Sequence, residues 1–168
     1  LKHASSDRKE PECPYYNDCG GCNLRHIEYS ESLKMKMNSV QNTLKKALKR
    51  DIEISEIIGM KEPCYYRNKL QYPVGIGENG EPVMGVFAKR SHRIIPTLDC
   101  KIQNKVCQKV ANDVFDFFEK NHISGYDEKN QKGLVRHIIV RIGIKTNEVM
   151  LILVLNSLKF SFEKEFIE

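Results

Sequence analysis

The 168-residue sequence contains no tryptophan. It has no long apolar run either: the longest, Val149–Leu155, spans seven residues, about a third of what a bilayer-crossing helix needs. The opening stretch, LKHASSDRKEPEC, lacks the apolar centre of a secretory leader, and the expected location is the cytosol. No glycine-rich G-x-G-x-x-G turn follows a strand; Gly75-Ile76-Gly77 falls inside a hairpin pattern, so a dinucleotide-type phosphate cradle is not expected. The chain opens on Leu1 and closes on FSFEKEFIE, and the expectation is a piece of a longer protein.

What is present is charge and sulfur. A formal net charge of +5 permits a polyanionic partner without requiring one. Position says more than the sum, because Arg67, Lys69, Lys89, Arg90, Arg93, Arg136 and Arg141 are interleaved with Tyr65, Tyr66, Tyr72, Phe87 and His92. Six cysteines in a chain with no secretion signal point to metal binding or redox chemistry more than to a disulfide framework.

Periodicity divides the chain. The first dozen residues are polar and expected to be flexible. A compact loop, CPYYNDCGGCNLRH, covers 13–26. Leu33, Met37, Val40, Leu44 and Leu48 then recur at steps of four and three, predicting a helix over 29–48 capped by Ser30 or Ser32. The β-branched run at 52–60 predicts a short strand. Residues 66–77 and 82–89 predict a hairpin around Asn79-Gly80, a pair that tolerates positive φ. Residues 91–95 extend the sheet. A second helix is expected over 104–120, with Val106, Val110, Val114 and Phe117 on its apolar face. A polar loop at 121–132 leads to a second hairpin, 135–145 with 148–155, turning at Thr146-Asn147. Alternation in its first strand places His137 on the more apolar side, as a core histidine. The fold class is α+β, antiparallel hairpins packed with two amphipathic helices behind an N-terminal Cys-rich loop, with domains at 1–28 and 29–168.

The sharpest motif is Cys13-x5-Cys19-Gly20-Gly21-Cys22. Three thiolates this close can occupy neighbouring corners of one small inorganic object, and the two glycines let the backbone curl near it without Cβ clashes. A cubane iron–sulfur (4Fe–4S) cluster needs a fourth thiolate from elsewhere. Zinc, with His26 as a possible fourth ligand, accepts the same spacing, and disulfides or buried thiols are further readings. Cys107 falls on the second helix and reads as a core thiol. Cys100 and Cys64 both lie beside strands, and position alone favours Cys100 only slightly.

Four ordered motifs together resemble the RNA (uracil-5-)-methyltransferases, which make 5-methyluridine in ribosomal and transfer RNA. The Cys-rich segment with Leu24-x-His26 is similar to the iron–sulfur segment of the ribosomal RNA members. Tyr66-Arg67-Asn68-Lys69-Leu70-Gln71 is similar to their YRNK element. Gly85-x-Phe87, Ser91-His92 and Asp99-Cys100 resemble the segment that delivers the fourth ligand, and Leu134–Arg141 resembles their LRH-x-x-x-R strand. The resemblance runs from about Pro11 to Asn156. It implies a 4Fe–4S cluster on Cys13, Cys19, Cys22 and Cys100, ahead of zinc. It implies a central domain of a 23S ribosomal RNA enzyme, with a transfer RNA enzyme as the alternative. The family's β-barrel, its S-adenosylmethionine domain and its nucleophilic cysteine have no counterpart in these residues, so neither S-adenosylmethionine binding nor methyl transfer is expected of them. RNA contact is expected from Arg67, Lys69, Arg90, His92 and Arg136, set against internal ion pairs for Arg67 and Arg136. Rival functions are a zinc-binding RNA-interaction module and a redox carrier; no flavin or nicotinamide signature accompanies the latter.

Overall fold

The structure is a computed structural model that describes residues 3–168; residues 1 and 2, part of the stretch read as flexible, lie outside it. The contacts divide the chain into two compact units, residues 1–16 with 22–63 and residues 17–21 with 64–168. This is a different division from the 28/29 boundary that the Cys-rich composition marks.

The first unit is built around α1, Tyr29–Leu48. Neither predicted serine caps it. The N-cap is Glu28, without a side-chain hydrogen bond, and Ser32 instead turns inward, its Oγ donating to the Tyr29 carbonyl at 2.7 Å. Lys49, at φ 51°, ends the helix in the left-handed region usually taken by glycine. Only Ser32 of this helix is fully buried; of its apolar stripe Leu33, Met37 and Leu44 are half-buried and Val40 and Leu48 are exposed. Residues 52–60 form no strand, contrary to their β-branched composition. They run back along the start of α1: the Met60 N–H donates to Tyr29 Oη at 2.8 Å, and a Cβ at Gly59 would meet Leu33 Cδ1 at 2.7 Å. Without a neighbouring strand, β-propensity has no ladder to act through.

The second unit is a five-stranded antiparallel sheet in the order β3-β2-β1-β4-β5, made of β1 (Lys69–Ile76), β2 (Pro82–Phe87), β3 (Ile94–Pro96), β4 (Val135–Ile142) and β5 (Val149–Leu155). The helix α2, Lys105–Lys120, packs on β1 and β4, and a short α3, Glu163–Ile167, was not foreseen. Both predicted hairpins form. In the first, Gly77 N–H donates to Glu81 O at 2.7 Å and only Gly80 has positive φ (87°), so the turn is not the two-residue type that Asn-Gly favours.

The core takes Leu70, Tyr72 and Val74 from β1, and Ile138, Val140 and Ile142 from β4, against Cys107, Ala111, Val114 and Phe118 of α2. The helix is therefore rotated from expectation: Val106 is 45% exposed, while Cys107 is fully buried. Asn104 caps it, its side chain accepting from Val106 N–H at 2.8 Å. Phe166 of α3 meets Phe117 and Phe118, with centroids 5.2 and 6.4 Å away. In β4, Val135 and Ile138 are both fully buried although they have opposite parity. A register shift between Val135 and His137 reconciles them, and Arg136 is turned outward there.

Candidate functional site

Two places in the second unit gather chemistry. The first is a groove of about 760 Å³. Its walls include Phe87 and His92 on one side and Tyr126, Glu128, Arg136 and His137 on the other. Their positions follow from the sheet. β2 ends at Phe87 and turns through Arg90 (φ 53°), which returns His92 to stack on Phe87 with centroids 5.1 Å apart and 25° between planes. Across the groove, Tyr126 is drawn to the sheet by its N–H, which is shared between Val135 O (2.9 Å) and Val74 O (3.3 Å). Gly125 makes this approach possible, since a Cβ there would lie 2.1 Å from the Gly75 carbonyl oxygen. The guanidinium of Arg136 sits over the Tyr126 ring, 4.5 Å from its centroid.

Glu128 links the two walls, accepting from His92 Nδ1 at 2.6 Å. Asp127 shapes the loop that carries it. Its carboxylate accepts from Lys129 N–H, Asn130 N–H and the Asn130 side chain. Those bonds, first that from Lys129, hold its pKa below the ordinary carboxylate value. His137 is half-buried on the sheet face opposite α2 rather than inside the core. Burial and then the adjacent Arg136 lower its pKa, with Glu128 opposing, so the imidazole favours its neutral form.

The sequence-predicted cations fall in three places. Arg136 and His92 line the groove. Arg90 is exposed on the turn just before His92. Lys69 opens β1 directly opposite Arg141 of β4, both exposed, so two cations stand side by side at another end of the sheet. Arg67 does not share a strand with Lys69, as alternation implied. It precedes β1 and pairs in parallel with Gln103, its N–H donating to Ile102 O at 3.0 Å. No ion pair engages Arg67 or Arg136 among the described residues; Arg136 has the Tyr126 ring instead. Tyr126, Glu128 and Arg141 were not singled out as site residues. Gly125-Tyr126 between polar residues was the one local sign of the first.

The second place is a pair of thiols. Residues 17–21 lie alongside the end of β2: Cys19 bridges to Ala88, and Lys89 N–H donates to Asp18 O at 2.9 Å. Cys19 Sγ accepts from Gly21 N–H at 3.3 Å, and a Cβ at Gly21 would sit 3.3 Å from that sulfur. Gly20 and Gly21 curl without entering the left-handed region. Cys100 is held by Gln108, a buried glutamine of α2. The Gln108 Oε1 accepts from Cys100 N–H, and its Nε2 donates to Cys100 O at 3.1 Å and Gln103 O at 3.0 Å. The Tyr72 hydroxyl of β1 is buried without a hydrogen-bond partner among the described residues, and burial raises its pKa above the ordinary phenol range. Cys107 is the core thiol expected, its pKa raised by burial.

Cys13 and Cys22 belong to the first unit. There Tyr16 N–H donates to Cys13 O at 3.1 Å, and the Tyr16 hydroxyl contacts His26 Nδ1 and donates to Asn23 O at 3.0 Å. Among the described residues no three His, Cys, Asp or Glu side chains are arranged to hold a metal ion. The cluster-binding character of the Cys-rich loop is thus not shown by the fold.

No protein-family model matches the chain. It is 40% identical over 163 residues to a Clostridium tetani protein described as an uncharacterized RNA methyltransferase, covering 97% of this chain and 35% of that protein. Similarly described proteins of Staphylococcus aureus (41% identical, 98% of this chain, 36% of the relative) and Oceanobacillus iheyensis (42%, 95% and 35%) also match. The chain thus spans about a third of the length of these curated relatives. Among solved structures, the Pyrococcus abyssi tRNA (uracil-54, C5)-methyltransferase, in complex with S-adenosyl-L-homocysteine, shares the fold. Its TM-score is 0.69 at 21% identity, over 98% of this chain and 36% of that one.

Proposed function

We propose that the chain, which is similar over about a third of their length to proteins described as RNA methyltransferases, is the RNA-gripping, non-catalytic part of an S-adenosylmethionine-dependent RNA (uracil-5-)-methyltransferase. The observation that carries the proposal is the groove. Two aromatic faces, Phe87 and Tyr126, each have a nitrogen-bearing plane against them, His92 and Arg136. Single-stranded RNA is held by stacking on such surfaces and by cations that follow its backbone. Arg136 and the turn residue Arg90 would meet phosphates. Lys69, with Arg141 beside it, and Arg67 would extend the track. His92 would contribute its ring face, since its Nδ1 is committed to Glu128.

The same reading assigns Cys13, Cys19, Cys22 and Cys100 to a 4Fe–4S cluster that braces the RNA-binding surface. Its support is the spacing of the first three in sequence, the clamp of Gln108 on Cys100 and the accessible sulfur at Cys19. The cysteines supply thiolates, and the cluster when bound supplies a rigid anchor. S-adenosylmethionine binding and methyl transfer belong to other parts of the full protein, whose place is the cytoplasm. Ribosomal RNA is the favoured substrate because of the Cys-rich segment. Transfer RNA is the second reading, favoured by the activity named for the Pyrococcus abyssi fold neighbour.

Calorimetry on the chain tests the division of labour: single-stranded RNA should give a saturable isotherm and S-adenosylmethionine none. Saturable S-adenosylmethionine binding would overturn it. Metal analysis of anaerobically prepared protein tests ligation. Serine at Cys13, Cys19, Cys22 or Cys100 should abolish broad visible absorption, and serine at Cys64 or Cys107 should keep it. Loss at Cys64 in place of Cys100 would reassign the fourth ligand, and zinc in place of iron would remove the cluster.

A further inference from the structure

The groove carries a charge of the wrong sign for phosphate. Two of the acids that line it are spent locally: Glu81 accepts from Asn79 N–H at the hairpin tip, and Asp127 accepts from the backbone of its own loop. Glu128 is different. Its side chain is 51% exposed, and one oxygen, Oε2, accepts from His92 Nδ1 at 2.6 Å. Its Oε1 takes no hydrogen bond among the described residues. An ionised carboxylate has about four acceptor positions, so most of them stay open. The loop fixes the residue before any ligand arrives. Asp127 N–H donates to Lys132 O at 2.7 Å, and the Asp127 carboxylate closes the turn at Lys129 N–H and Asn130 N–H.

A carboxylate beside a bound polyanion is unfavourable unless it meets something other than phosphate. In RNA the remaining donors are base edges and ribose 2′-hydroxyls. The His92 ring decides between them. It is 73% exposed although one face lies on Phe87, so its other face is open to a stacking base. Its hydrogen bond to Glu128 leaves from the ring edge. The carboxylate therefore stands at the rim of that platform, where a stacked base presents its own edge. On the Watson–Crick edge guanine alone offers two adjacent donors, N1–H and the N2 amino group, and the two oxygens of one carboxylate match them. Adenine and cytosine set a ring-nitrogen acceptor beside their donor, and uracil flanks its N3–H with two carbonyls.

We propose that Glu128 is a specificity-determining residue of this groove, its carboxylate accepting from N1–H and the N2 amino group of a guanine stacked on His92. This role rests on the reading of the groove as an RNA site and adds to it which base is selected there. It needs no metal on the cysteines.

The test compares short uridine oligonucleotides carrying one central guanine, inosine, adenine or cytosine, by fluorescence anisotropy with the chain at one salt concentration. The guanine strand should bind about fivefold tighter than the adenine or cytosine strand, the low end for a bidentate contact because Glu128 stays half in water. Inosine keeps N1–H but lacks the N2 amino group, and its strand should fall between. Glu128→Gln can still accept from His92, so the walls stay tied, but it offers one oxygen and no charge. The variant should lose the guanine preference and bind an all-uridine strand more tightly, since a charge that repels phosphate is gone. Equal wild-type affinity for all four strands, or a guanine preference that survives in Glu128→Gln, would overturn the inference and leave the groove an RNA site. Equal weakening of every strand in the variant would also overturn it, as the mark of a brace between the walls. So would a preference for ribose over deoxyribose strands, without base preference, that Glu128→Gln abolishes; the carboxylate would then read the 2′-hydroxyl. Absence of saturable binding to any strand would overturn the RNA reading of the groove and this role with it.

Discussion

Replacing Arg136 by alanine separates a binding role from a structural one. The guanidinium lies 4.5 Å from the centroid of Tyr126 at an exposed position on the bulge of β4. A cation–π contact of this kind at an exposed site is worth about 0.5–1 kcal/mol. Its loss should lower the melting temperature by only a few degrees. The effect on RNA has a different signature. With three or four phosphate contacts, log K should fall with log salt at a slope of about −2 to −3, each contact adding about −0.7 for single strands. Raising salt fourfold then weakens wild-type binding by roughly 16- to 64-fold, and binding by Arg136→Ala by roughly 6- to 24-fold. Fluorescence anisotropy of a labelled oligonucleotide, titrated at several salt concentrations, resolves that difference. Arg136→Lys should recover most of the slope while losing the planar stack on Tyr126. A normal slope in Arg136→Ala, together with a lowered melting temperature, would refute the phosphate assignment and leave Arg136 as a brace for Tyr126.

Gly125→Ala would force a methyl group against the Gly75 carbonyl; it should destabilise by about 1–3 kcal/mol or more and weaken RNA binding through displaced Tyr126, read by thermal melting and anisotropy. Cys107→Ser buries a hydroxyl in an apolar core and should cost about 1–3 kcal/mol in chemical denaturation, with visible absorption unchanged. His137 has a lowered folded pKa, so its contribution to stability is complete above its ordinary value near 6.5 and is lost as pH falls through the lower folded value. Melting curves between pH 7.5 and about 5 should show a decline that His137→Gln reduces; an unchanged decline would reassign it to other groups.

The hairpins were legible because their signals are local: Asn79-Gly80 and Thr146-Asn147 stand between alternating runs, and Gly80 and Asn147 do take positive φ. The existence of α2 was equally plain, but its orientation was not. Positions 106, 110, 114 and 117 and positions 107, 111, 114 and 118 are both helical stripes, and only docking on β1 and β4 selects the one carrying Cys107 and Phe118. The strand expected at 52–60 had composition without a partner. The groove was half legible. Arg136 and His92 were named from their basic and aromatic surroundings, whereas Tyr126 reaches them through bridges to residues 74 and 135 that no short window contains. Alternation could place Tyr72 on the buried face, but that its hydroxyl is left unmatched there depends on core packing that no short window contains.

The claim that this groove grips RNA is tested most directly by photo-cross-linking. The chain would be irradiated with a single-stranded oligonucleotide carrying 4-thiouridine, and the adducts mapped by peptide mass spectrometry. Adducts are expected in the two peptides that wall the groove, Phe87–Arg93 and Ser124–His137, and should diminish in Tyr126→Ala and as salt rises. Adducts confined to α1 or to the edge strand β5, with none at Phe87, His92 or Tyr126, would contradict the assignment.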